Sequence, residues 1–378
     1  MLNKEELIRY NRQIILPDFG VEGQEKLKNA SVLVIGAGGL GAPNLMYLAA
    51  AGVGRIGIID FDEVSLSNLH RQVLFKTSEI GRSKAEVSSS RLSDLNPNVD
   101  IQIFNEPISS SNALDIIKEF DLVVDGSDNL PTRYLVNDAC FFLGKPLVYG
   151  AIFRYEGQVS VFNQTDQDGV KGPNYRDLFP TPPPPELVPS CSEGGVMGVL
   201  PGIIGSMQAN EAIKIITGIG TTLSGKLFLF DASDMSSRTL NITHQENNPL
   251  TGDDPKLTVL IDYEAFCSVS SDQPIIRNIS PKALKAMITS DNPFVLDVRE
   301  DYEYEIANIG GTLIPLNQLS DRLDEIPRND QVIVMCKAGG RSEKAIRLLE
   351  KEGFDNLVNL SGGILAWQRE IDPALKVY

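Results

Sequence analysis

The sequence predicts an α/β protein of two domains, a large doubly wound one followed by a small one. Three observations lead there. The chain has 378 residues, a length that suits two domains. In both parts short apolar runs alternate with helical stretches, the pattern of buried parallel strands covered by helices. Between the parts, from Asn241 to about Gln273, the chain is polar and turn-rich, with Asn247, Asn248, Pro249, Gly252 and Pro255. These boundaries give an expected first domain at 1–245, a linker at 246–274 and a second domain at 275–378.

Each element follows from its residues. Ser31 to Ile35 (SVLVI) reads as a buried strand that runs into Gly36-Ala37-Gly38-Gly39-Leu40-Gly41 and a helix over about Ala42–Ala51. Arg55 to Asp60 reads as the next strand, so strand, glycine turn, helix and strand come in succession, the start of a doubly wound domain. Asp100–Phe104, Asp121–Asp125 and Pro146–Gly150 fit further buried strands. Gly157–Phe162 alternates like an antiparallel strand. The proline-rich stretch Gly169–Pro189 reads as a loop, Gly202–Thr217 as a helix and Lys226–Asp231 as a closing strand. In the second domain Pro293–Val298, Gln331–Met335 and Leu357–Leu360 read as strands, with helices over Gly340–Glu352 and Gly362–Glu370.

Composition excludes some functions. A net charge of −16 repels phosphate backbones, so nucleic-acid binding is disfavoured. No apolar run reaches about 18 residues, which argues against a membrane span. Lys4, Glu5, Glu6 and Arg9 interrupt any apolar signal core, so a cytoplasmic protein is expected. The four cysteines, Cys140, Cys191, Cys267 and Cys336, are dispersed, which argues against a disulfide framework and against a four-thiolate zinc site.

Gly36, Gly38 and Gly41 make a G-x-G-x-x-G, with Gly39 inside it. Such glycines let backbone N–H groups approach phosphate at a helix N-terminus. Asp60, 19 residues after Gly41, is placed to accept from ribose hydroxyls. Alone, this pattern fits NAD, FAD or ATP. The neighbouring runs are Ser65-Leu66-Ser67-Asn68-Leu69-His70-Arg71-Gln72, Gly81-Arg82-Ser83-Lys84, Asp125-Gly126-Ser127-Asp128-Asn129 and the opening Arg9-Tyr10-Asn11-Arg12-Gln13. With these, about residues 5–240 resemble the ubiquitin-activating-like adenylyltransferases of the ThiF/MoeB type, whose first domain is Rossmann-like. The resemblance implies Mg-ATP as cofactor. It implies Arg71, Lys84 and Asn68 at the phosphates, Asp60 at the ribose and Asp128 as magnesium ligand. It further implies a homodimer in which Arg12 reaches the neighbouring subunit's triphosphate. Acyl adenylation joins a carboxylate to a phosphate, so cations are needed where the two anions meet.

The chain departs from that family in one respect. Many members carry two CxxC pairs that hold zinc; here Asn174 and Asp177 stand at the first pair, and residues 247–252 hold no cysteine. No structural zinc is expected, and the stiffness of this region is put in question. Cys191 lies in a polar loop before Gly194-Gly195, where the resembling enzymes carry a conjugating thiol. Cys140, in an apolar helix, and Cys267, near the linker, read as inert.

Val334-Met335-Cys336-Lys337-Ala338-Gly339-Gly340-Arg341-Ser342 puts a cysteine between a buried strand and a helix. A loop of small residues can turn its N–H groups onto a sulfur anion, and Lys337 and Arg341 add positive charge. With Leu296-Asp297-Val298-Arg299-Glu300 and Gly362-Gly363-Ile364-Leu365-Ala366-Trp367, residues 275–372 resemble a rhodanese sulfurtransferase, with Asn308 where a histidine is usual. Together the resemblances imply adenylation of a ubiquitin-like sulfur carrier ending in Gly-Gly. Sulfur would follow from a Cys336 persulfide, supplied by thiosulfate or a cysteine-desulfurase persulfide. A nicotinamide-dependent oxidoreductase with a sulfurtransferase domain and a non-catalytic scaffold are the alternatives.

Overall fold

Strand β1 (Ser31–Ile35) is apolar on both faces, and the structure uses both. Val32 and Val34 enter one core, while Leu33 and Ile35 enter another on the opposite side of the sheet. In the computed structural model, which describes residues 1–166, 168–183, 195–268, 276–290 and 293–377, β1 lies inside an eight-stranded sheet. Its partners are β2 (Arg55–Ile59), β3 (Asp100–Phe104), β4 (Leu122–Asp125), β5 (Leu147–Phe153), β6 (Glu156–Phe162), β7 (Lys226–Asp231) and β8 (Ser236–Asn241). The order is β3-β2-β1-β4-β5-β6-β7-β8, parallel through β5 and antiparallel beyond it. The chain order reverses at β1 and β4, so a crevice opens beyond their C-terminal ends. Ile35 is in register with Ile59 and with Asp125, which brings Gly36, Asp60 and Gly126 to one level.

Two differences from the sequence reading have physical reasons. β7 does not close the sheet; β8 pairs with it, and all six β8 residues are exposed, so no apolar alternation marks this strand. The stretch read as a linker is largely part of the first unit, which runs Met1–Val269. Its only continuous apolar signal is short, yet Tyr263 enters the core and donates its hydroxyl to Asp138 at 2.7 Å. Asp138 is itself bound in two-pronged fashion by the buried Arg176, at 2.9 and 2.7 Å.

The second unit, Ser270–Tyr378, has a five-stranded parallel sheet. Its strands are β9 (Asn278–Ile279), β10 (Phe294–Asp297), β11 (Thr312–Leu313), β12 (Val332–Met335) and β13 (Leu357–Leu360), ordered β11-β10-β12-β13-β9. Central β12 repeats the logic of β1: Val332 and Val334 face one core, Ile333 and Met335 the other. The helix Gly340–Lys351 follows it after a four-residue loop. No helix among the described residues is long and apolar enough to cross a membrane.

Candidate active site

A cavity of about 380 Å³ lies in the crevice at the C-terminal ends of β1, β2 and β4. Of the residues singled out from sequence, Gly36, Gly38, Gly39, Asp60, Arg71, Lys84 and Asp128 line it together. Gly36 has φ +85°, a left-handed conformation that favours glycine. Gly41 does not line the cavity. A Cβ there would stand 1.8 Å from the Gly36 carbonyl oxygen, so this glycine lets the helix Gly41–Ala51 pack close to its own loop. Asn68 is half-buried in a short 3-10 turn outside the lining, and its carbonyl accepts from the N–H groups of Arg71 and Gln72. Arg12 is exposed beside Tyr47 and Ala50, in a separate shallow pocket.

Asp60 is buried, and its carboxylate accepts from the N–H of Ala37 at 2.7 Å and of Asp62 at 2.8 Å. Burial pushes its pKa up, opposed by the Ala37 N–H and by Lys84. A carboxylate has about four lone-pair sites, so two such bonds leave acceptor capacity facing the cavity. Lys84 is almost fully buried, with Nζ 2.8 Å from Asp62 Oδ2. Arg71 Nη1 donates to the Ser67 carbonyl at 3.0 Å and contacts His70 Nε2 at 2.9 Å. Burial, then the Arg71 charge, lowers the His70 pKa. A guanidinium can only donate, so His70 Nε2 is the acceptor. Asp128 is exposed at the wall, and its carboxylate takes no hydrogen bond from another described residue. A carboxylate so placed fits a magnesium ion shared with phosphates.

Sequence reasoning missed other lining groups. Arg133, in the first turn of the helix Leu130–Leu143, lines the cavity and donates to the carbonyl of Ser127, in the loop before that helix, at 3.4 Å. The motif Asp125–Asn129 pointed to that loop, but the helix one turn on carried no separate signal. Glu264 also reaches the cavity, from the stretch read as a linker.

The region that lacks zinc thiolates is held by hydrogen bonds instead. Asp177 accepts from the N–H of Asn174 at 2.9 Å, the N–H of Gln245 at 3.0 Å and Asn248 Nδ2 at 2.9 Å. His244 Nδ1 lies 3.1 Å from the same carboxylate, and Asn248 also donates to Asn174 Oδ1 at 3.2 Å. This clasp ties the chain near 174 to the chain near 248, so the stiffness put in question by the missing thiolates has another source.

In the second unit Cys336 is 1% exposed at the end of β12. The Gly339 N–H donates to its Sγ at 3.1 Å, and Ser342 Oγ lies 3.4 Å away. Ser342 Oγ is nearer to Gly339 O and Asn359 Oδ1, both at 2.7 Å. The carbonyls of Cys336 and Lys337 accept from the N–H groups of Ile364 and Leu365, at 3.0 and 3.2 Å. The loop's carbonyls are thereby turned away from the sulfur and its N–H side toward it. Of the residues read as the persulfide loop, Lys337, Ala338 and Gly339 lie in it, while Gly340 and Arg341 belong to the first turn of the helix Gly340–Lys351. Arg341, however, is bound through both terminal nitrogens by the buried Glu303 carboxylate. Among the described residues Asn308 makes local bonds, to the Tyr304 carbonyl and the Gly310 N–H.

Cys191 lies outside the described residues. Burial pushes the Cys140 thiol far up and the Cys267 thiol up to about 11, so neither is a thiolate near neutrality.

Residues 10–251 match the ThiF family and residues 280–370 the rhodanese-like domain. The probable adenylyltransferase/sulfurtransferase MoeZ of Mycobacterium tuberculosis is 47% identical, over 100% of this chain and 96% of that protein. The adenylyltransferase and sulfurtransferase MOCS3 of Aedes aegypti is 42% identical, over 100% of this chain and 90% of its own. The sulfur carrier protein adenylyltransferase of Thermus thermophilus is 56% identical over 70% of this chain and 98% of its own. Among solved structures, E. coli MccB matches with a TM-score of 0.57 at 23% identity, over 67% of this chain and 74% of that one, a likeness of fold.

Proposed function

The chain belongs to the ThiF family and carries a rhodanese-like domain, and on that premise we propose that it activates a ubiquitin-like sulfur carrier with ATP and then loads it with sulfur. The observation that carries this reading is the gathering of Arg71, Lys84, Asp60 and Asp128 with the glycine loop at one cavity. A nicotinamide site has no need of two cations and a free carboxylate beside the phosphates. The carrier's C-terminal glycine carboxylate attacks the α-phosphorus of ATP, and pyrophosphate leaves. Arg71 and Lys84 offset the charge of the two anions that meet. A magnesium ion, held by Asp128 and the phosphates, would supply further charge neutralisation when bound. Asn68 lies close enough in sequence to Arg71 to steady the same turn. Arg12, outside its own subunit's cavity, is assigned to the triphosphate of a second copy in a homodimer.

Cys336 carries the sulfur as a persulfide drawn from thiosulfate or from a cysteine-desulfurase persulfide. Its terminal sulfur attacks the acyl-adenylate carbonyl and AMP leaves. The Cys191 thiolate then attacks Cys336 Sγ, the sulfur–sulfur bond breaks, and the carrier departs as a thiocarboxylate. The Cys191–Cys336 disulfide left behind is reduced by an external thiol. The carrier serves molybdenum-cofactor, thiamine or related sulfur incorporation, in the cytoplasm where ATP is at hand.

ATP–pyrophosphate exchange tests the first half. Exchange that depends on one carrier ending in Gly-Gly supports the reading. No exchange with any such carrier, in folded protein, overturns it. For Cys191→Ala the expected result is full exchange with thiocarboxylate release lost; unchanged release removes Cys191 from the scheme.

A further inference from the structure

Asp60 fixes which end of the cavity takes the nucleotide base. It stands at the C-terminal end of β2, where a ribose is held in a doubly wound fold. The glycine loop, Arg71 and Lys84 define the phosphate side. On the other side Ile59 is in register with Phe104, so the loop after β3 leaves beside Asp60. Phe61, Pro107 and Ile108 give that end apolar surfaces suited to a flat heterocycle.

Glu106, on the loop after β3, and Glu264 also line the cavity. Glu106 is engaged in its own loop, where it accepts from Asn112 Nδ2 at 3.1 Å. Glu264 comes from a different segment, and that segment is anchored on both sides of the loop. Ser110 Oγ donates to the Ile261 carbonyl at 2.5 Å, and the Tyr263 hydroxyl donates to Asp138 at 2.7 Å. Phe266 packs edge-on against Tyr134, with ring centroids 5.4 Å apart. The backbone is thus fixed immediately around Glu264. Its carboxylate takes no hydrogen bond or ion pair among the described residues and is exposed at the cavity wall. Glu264 lies between the two matched regions, 10–251 and 280–370, so neither family pattern assigns it a role.

We infer that Glu264 is a specificity-determining residue, which selects adenine by accepting from its exocyclic 6-amino group. The group at that position decides the sign of the interaction. Adenine presents an N–H donor to the carboxylate; hypoxanthine and guanine present a carbonyl oxygen, which the carboxylate repels. The inference rests on the ATP-dependent reading above.

Binding of ATP and of ITP to the full chain, measured by titration calorimetry, tests it without a carrier. The wild-type chain is expected to prefer ATP by about tenfold or more. In Glu264→Ala that ratio should fall to within about threefold, through weaker ATP binding. Glu264→Gln should bind ITP better than wild type, because the amide can rotate to donate to the 6-carbonyl. Discrimination retained in both variants overturns the role of Glu264 while ATP binding leaves the adenylation reading standing. A folded wild-type chain that binds neither nucleotide overturns both.

Discussion

The loop after β1 and the loop after β12 are two versions of one device. Each leaves a central parallel strand buried on both faces, turns within a few small residues and enters a helix N-terminus. At Gly36–Gly41 the loop faces outward. Its Ala37 N–H is taken by Asp60, while the N–H groups of Gly38 and Gly39 have no acceptor among the described residues. At Cys336–Gly340 the loop closes on a sulfur the chain itself supplies, with the Gly339 N–H on Sγ and the carbonyls pinned from behind by Ile364 and Leu365. The difference follows from the first loop residue. A glycine leaves room for an anion that arrives and departs; a cysteine makes the anion a resident. A resident sulfur that is 1% exposed gains reach toward a carrier from a second sulfur about 2 Å further on, which is what a persulfide provides.

The sharpest test of this comparison is to remove the resident. Cys336→Ala should abolish sulfur transfer from thiosulfate and leave carrier-dependent pyrophosphate exchange intact. Loss of both activities in a folded variant would show that the loops do not work separately. Lys84→Ala is the converse. Exchange should fall by about a hundredfold or more, the usual scale for removing a preorganised charge partner, with thiosulfate sulfurtransferase activity unchanged.

The backbone supports can be broken next. A Cβ on Gly363, which has φ +56°, would stand 2.4 Å from the Cys336 carbonyl oxygen and 2.5 Å from that of Lys337. Gly363→Ala should therefore push the sulfur loop out of place and cost about 2 kcal/mol or more in the second unit, with at least a tenfold loss of sulfur transfer. Thermal unfolding and the two assays together check this; a variant with normal sulfur transfer would separate the helix Gly363–Glu370 from the loop's geometry.

Much of this was legible in the sequence, and the reason is local. SVLVI followed by glycines, and QVIVM followed by Cys-Lys-Ala-Gly-Gly, state strand, turn and anion in consecutive residues. The candidates Asp60, Arg71, Lys84 and Asp128 stand in motifs, while the cavity that they line together depends on the register of β1 with β2 and β4. What the sequence hid is long-range and polar. Nothing local says that Tyr263 would reach Asp138, 125 residues away, or that Glu303 would claim Arg341, 38 residues away. The clasp around Asp177 was invisible for the same reason. Its members are ordinary turn residues until the chain brings residues 174 and 248 together.

That clasp offers a test outside both loops. Asp177 is 4% exposed and accepts from three donors, with His244 alongside, so its loss leaves buried N–H groups unpaired. Asp177→Ala should destabilise the first unit by about 2–3 kcal/mol. If hydrogen bonds rather than a metal hold this region, the wild-type melting temperature should not move on adding a strong chelator.

The smallest expected effect lies on the sulfur itself. Ser342 Oγ is 3.4 Å from Cys336 Sγ but 2.7 Å from two oxygens. A hydroxyl has one proton to donate, and the oxygens are both nearer and better acceptors. Ser342→Ala should therefore lower sulfur transfer only about threefold or less, since little of that proton reaches the sulfur. Asn359 then loses the contact to its Oδ1, but its Nδ2 still donates to Asn278 at 2.9 Å, so the side chain keeps its place. A loss of a hundredfold would mean that the hydroxyl turns to the sulfur once the persulfide forms. The stabilising donors would then belong to side chains as much as to the backbone, and the likeness between the two loops would be one of shape rather than of mechanism.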